Sequence, residues 1–63
     1  MTQKELSYFE DAIGHETNII KIVSDMISKL DDENLISFMN LELEKHKSLK
    51  EKLMTMLEDH ANG

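Results

Sequence analysis

Along the first half of the chain, Leu6, Phe9, Ile13, Glu16, Ile20, Val23, Ile27 and Leu30 follow one another in strict steps of three and four, and only Glu16 is polar. That spacing returns to one side of a helix every turn, so it predicts a single long amphipathic helix. The second half repeats the pattern at Leu35, Met39, Glu42, His46, Leu49, Leu53, Met56 and His60. Between them Asp31-Asp32-Glu33-Asn34 breaks the apolar rhythm, offers an N-cap side chain and places negative charge where a second helix has its positive dipole end. At the front, Thr2-x-x-Glu5 has the form of a capping box, in which hydroxyl and carboxylate take up backbone N–H groups that a helix start leaves unpaired. Lys29 suits the end of the first helix. Proline is absent and the glycines are Gly14 and Gly63, so little else punctuates the chain. The expectation is an all-α, antiparallel two-helix hairpin in a single domain over 1–63. Its helices run over about 3–30 and about 34–59, with a turn at about 31–33.

The apolar surface is wider than these two lines. Ala12, Ile19 and Met26, with Tyr8 and Ile22 beyond them, broaden the first helix, and Ile36, Phe38, Leu41, Leu43 and Leu57 broaden the second. A two-stranded seam needs apolar residues at two heptad positions in seven, whereas a four-helix core needs about three. Two hairpins are therefore expected to dimerise into a four-helix bundle. Leaving those side chains wet forgoes roughly 1.5 to 3 kcal/mol for each large one, a decisive amount in so small a chain.

Three ionisable groups, Glu16, Glu42 and His46, occupy seam positions. With the turn centred between Asp32 and Glu33, His46 falls opposite Ile19, so Glu16 lies about 4.5 Å along the axis from it, and Glu42 lies one turn away on His46's own helix. All three could form one cluster near the middle of the bundle, where a two-fold axis brings in the second copy. A metal ion, zinc or iron, held by Glu16, Glu42 and His46 is one reading, since carboxylate bundles hold metals in this way. A hydrogen-bonded network that fixes register without binding anything is the other, and it carries more weight. A functional bundle site supplies a Glu-x-x-His pair, and here the matching positions read Leu43-x-x-His46.

Composition removes other classes. The chain carries a formal charge of −6, with lysine as its only long basic side chain, which opposes nucleic acid and anionic membrane surfaces alike. Cysteine is absent, excluding disulfides, thiolate metal sites and a cysteine nucleophile. No stretch is long and apolar enough for a membrane span, and the opening Met-Thr-Gln-Lys-Glu lacks a signal peptide's apolar core, so a cytoplasmic protein is expected. No serine-histidine-acid set, phosphate-cradling loop or paired carboxylate cleft is visible, and the expectation is that the protein is not an enzyme. His15 reads as a solvated or flank residue, His60 as part of a frayed helix end, and the five methionines as adaptable filler or surface. Gly14 costs about 1 kcal/mol against alanine inside a helix, so it marks either a close approach of a neighbouring helix or a tolerated defect.

The segment Lys4-Glu5-Leu6-Ser7-Tyr8-Phe9-Glu10-Asp11-Ala12-Ile13-Gly14-His15-Glu16 resembles the small spore coat protein F-like proteins of endospore-forming Firmicutes. The likeness extends through the acidic turn to His46 and covers nearly the whole chain. It implies a ferritin-like hairpin or bundle, a place in the spore coat or forespore with other coat proteins as partners, and no enzymatic activity. Where that family is expected to carry a second histidine, three residues after the first, this chain has Leu49, which weakens a metal role. The leading expectation is thus a structural or interaction protein of spore coat assembly. One alternative is a metal-binding remnant of ferritin-like bundles that uses Glu16 and His46. The other is a sporulation regulatory hairpin, since Asn40-Leu41-Glu42-Leu43-Glu44 loosely resembles the Ser-x-Glu-Leu-Asp motif of the small aspartyl-phosphate phosphatases, with serine and aspartate both replaced.

Overall fold

In the computed structural model, which describes the backbone of residues 1–62 and the side chains of residues 1–60, two helices pack against each other along their length. They are α1 (Gln3–Lys29) and α2 (Glu33–Asn62). The capping box forms as the sequence predicts. Glu5 N–H donates to Thr2 Oγ1 at 3.1 Å, and Thr2 N–H donates to Glu5 Oε1 at 2.8 Å. Thr2 itself is extended, at φ −76° and ψ 165°, so the helix starts immediately after it.

The turn comes one residue earlier than expected: it comprises residues 30–32 instead of 31–33, and α2 starts at Glu33 and continues to Asn62 rather than ending near 59. Asp32 is the reason. Its Oδ1 accepts from the N–H groups of Asn34 (2.8 Å) and Leu35 (3.0 Å), and its carbonyl accepts the first helical bond, from Ile36 at 3.0 Å. Asp32 is therefore the N-cap, and Glu33 puts its charge in the first turn. Leu30 ends α1 by turning extended, at φ −87° and ψ 144°, and no described non-glycine residue needs a left-handed backbone.

The α1 seam is as read from the sequence: Leu6, Phe9, Ile13, Glu16, Ile20, Val23, Ile27 and Leu30 are all buried or half-buried. On α2 the seam differs. It runs Ile36, Met39, Leu43, His46, Lys50, Leu53 and Leu57, while the expected Leu35, Leu49, Met56 and His60 are exposed. Met39, His46 and Leu53 belong to both lines. Beside them α2 has two candidate rows, 36/43/50/57 and 35/42/49/56, and spacing alone does not choose between them. The hairpin takes the first row, which contributes Leu43, only 7% exposed. Lys50 joins by laying its alkyl stem along the seam.

The row left over points to the open side. At roughly 100° per residue, Tyr8, Ile22 and Met26 fall on one flank of α1 and Leu35, Phe38, Leu49 and Met56 on one flank of α2. Because the helices are antiparallel, both flanks turn to the same broad side of the hairpin. All seven side chains are exposed, Ile22 at 64% and Phe38 at 57%. The opposite side presents Glu10, Gly14, Thr17, Lys21, Asn40, Glu44, Lys47, Glu51 and Glu58, all exposed. Nothing lies within 4 Å of where a Gly14 side chain would begin, so the close approach considered for this glycine is not made within the hairpin.

The molecule measures 46 × 15 × 11 Å, with a radius of gyration of 14.6 Å. A compact chain of this length has one of roughly 11 Å. Its accessible surface of 4970 Å² compares with about 4200 Å² for a folded monomer of 7.3 kDa. Among the described residues no side chain is completely buried. One helix pair forms a seam but not a core. No helix among the described residues is long and apolar enough to cross a membrane.

Candidate functional site

At the centre of the seam, Glu16 Oε2 and His46 Nδ1 are 2.6 Å apart, joining the two helices across thirty residues of sequence. Glu16 is the central residue of α1, and His46 sits close to the middle of α2. Their positions follow from the seams themselves, since each takes a step that an apolar residue would otherwise occupy. Glu16 is the one buried polar residue among those described, and its side chain is 12% exposed against 31% for His46.

The sequence correctly places these two groups within reach of each other but sets the register one turn off. His46 lies level with Glu16, not Ile19, because the turn centres on Asp31 instead of between Asp32 and Glu33. Glu42 was expected in the same cluster. It instead pairs along its own helix with Lys45 Nζ, at 3.2 Å, and sits half-exposed beside the His46–Glu16 pair on the apolar side of the hairpin. His15 is exposed, as read from the sequence, and His60 is exposed at the end of its row.

The chemistry of the pair is set by its acceptor. A carboxylate only accepts, so the Nδ1 of His46 carries the hydrogen, and in the neutral ring the lone pair is on Nε2. No buried side-chain nitrogen or oxygen among the described residues lacks a partner, so the pair is satisfied without a third group. Removing His46 strands the Glu16 carboxylate in a seam of isoleucine, leucine and methionine, and this makes the contact a strong determinant of register whatever its net energy. Within a single chain, no three histidine or acidic side chains among the described residues are arranged to hold a metal ion.

The remaining polar contacts are peripheral. Lys29 bonds Asp25 at 2.9 Å near the end of α1, and Lys47 lies 3.7 Å from Glu44. Both are exposed pairs of the kind that contribute little. At the other end of the hairpin, Thr2 N–H and then the Thr2 hydroxyl hold the Glu5 carboxyl below its ordinary value of 4.5.

No family model, curated protein or solved structure matches the chain.

Proposed function

We propose that this protein is a structural and interaction module that works as a homodimer, two hairpins closing their apolar sides on each other to make a four-helix bundle with acidic outer faces. The one-sided distribution of apolar residues supports this reading. Tyr8, Ile22, Met26, Leu35, Phe38, Leu49 and Met56 are exposed on one broad side, and the other side is almost wholly polar. The surface exposed in excess of a compact monomer is about 800 Å², which is what one partner contributes to an interface of standard size. A second copy is the simplest complement because a face of this kind is self-complementary under a two-fold axis.

The setting we propose is the spore coat, with the outer faces docking other coat components; this rests on the resemblance of Lys4–Glu16 to the spore coat protein F-like proteins. The reading assigns the protein no catalytic step. Sedimentation equilibrium on tag-free protein tests the assembly: a dimer at micromolar concentration is expected, and a folded monomer under those conditions overturns it. Fractionation of a sporulating culture tests the setting. The protein is expected in purified spores, and abundance in vegetative cells with none in spores overturns it.

A further inference from the structure

We propose that dimerisation completes a zinc site at the centre of the bundle, with His46 Nε2 and the Glu42 carboxylate of each copy as the four ligands and Glu16 as the residue that orients His46. The inference rests on the dimer reading above.

Position carries the first step. When two hairpins meet through their apolar sides, the two-fold axis runs either along the helices or across them in the plane of the interface. An axis along the helices sets every level against the same level of the second copy. An axis across the helices does so only at mid-height. Glu16 and His46 are at mid-height, so both arrangements set the two His46 residues at the same level. His46 is also 31% exposed in the hairpin, and its wheel position leans toward the apolar side that the second copy covers.

Orientation carries the second. The 2.6 Å bond to Glu16 fixes the hydrogen on Nδ1 and leaves Nε2 as the nitrogen with a lone pair. A carboxylate holding the far nitrogen of a histidine is the usual outer-shell partner of a histidine bound to zinc, where it sets both the tautomer and the ring angle. Glu16 already occupies that place.

Glu42 supplies the remaining donors. It lies four residues before His46, one turn away on the same face of α2. In the hairpin it is engaged only by Lys45, across a pair whose lysine side chain is 73% exposed and which is cheap to give up. Two nitrogens and two carboxylate oxygens satisfy tetrahedral zinc, and the nitrogen donors disfavour magnesium and calcium. The two Glu42 charges balance those of the ion, and each Glu16 carboxylate keeps its hydrogen bond from His46. One chain holds only half of this set, consistent with the lack of any three-ligand group within it. A bridging carboxylate at Leu43 is not required for a single ion.

The test uses a variant with His15→Gln and His60→Gln, which removes the exposed histidines, titrated with zinc chloride by calorimetry and with cobalt chloride by visible absorption. Sedimentation is measured at each end point. The expected result is one zinc per two chains and the absorption of tetrahedral cobalt. Adding Glu42→Gln or His46→Gln abolishes both while circular dichroism stays helical. Adding Glu16→Gln weakens zinc by about 10- to 100-fold with all four ligands intact. A dimer that takes up no zinc, or one whose zinc survives Glu42→Gln, overturns the metal site and leaves the dimer standing. A chain that remains monomeric with and without zinc overturns the dimer reading and this site with it.

Discussion

Glu16 and His46 differ in what each loses when the other is removed. Without Glu16, His46 keeps a ring that is uncharged when neutral and 31% exposed, so water can take up its Nδ1–H. Without His46, a carboxylate with 12% exposure is left against an apolar seam with no donor. His46→Leu is therefore expected to destabilise by about 1–3 kcal/mol, and Glu16→Leu by clearly less. The double replacement should fall back near the wild type, since a part-buried hydrogen-bonded polar pair and a leucine pair of similar volume differ little. Urea unfolding of the three variants at one protein concentration checks the order; equal losses from the two single changes would count against the burial asymmetry. That the pair exists was legible because the two residues interrupt otherwise unbroken apolar spacing. Which α1 residue His46 meets was not, because a shift of the turn by little more than one residue moves the opposing helix by several positions.

Helix ends and helix faces were legible to different degrees. The start of α1 followed from Thr2 and Glu5 alone, because a capping box is a local arrangement of four consecutive residues. Its contribution depends on pH. Glu5 is held below 4.5 by the Thr2 N–H and hydroxyl, so the stabilisation is fully present above that value and is lost as the solution is acidified through the lowered value. NMR titration of the Glu5 carboxyl is expected to show a midpoint below 4.5 that moves only part of the way back in Thr2→Ala, which removes the hydroxyl and keeps the backbone N–H. The turn was harder to place because Asp31, Asp32 and Asn34 are all competent caps. The two N–H groups held by Asp32 decide the matter, and Asp32→Ala should cost about 1 kcal/mol. Gly14 gives the opposite sign. A methyl group there meets nothing and the backbone is helical, so Gly14→Ala is expected to stabilise by about 1 kcal/mol in thermal or urea unfolding. The face of α2 was the least legible feature. Leu43 and Leu57 mark one row and Leu35, Leu49 and Met56 the next, and only the partner helix selects which is covered.

That leftover row decides what the molecule does with its shape. In a hairpin 46 Å long, α1 and α2 leave one broad apolar side uncovered. Covering the side with a second copy removes Ile22, Phe38 and Leu49 from water in both chains at once, so each substitution there counts twice per dimer. Phe38→Glu should thus weaken association by roughly twice the 1.5 to 3 kcal/mol that one large apolar side chain contributes. Burying the new charge adds to that loss. Met54 offers the control. It is comparably apolar and 41% exposed, but its wheel position turns it toward the polar side, so Met54→Glu should leave the dimer unchanged. Analytical ultracentrifugation over a concentration series distinguishes the two variants. If Met54→Glu dissociates the dimer and Phe38→Glu does not, the bundle closes through the other side of the hairpin, and the exposure of the Tyr8, Ile22, Phe38 and Leu49 face needs a different occupant.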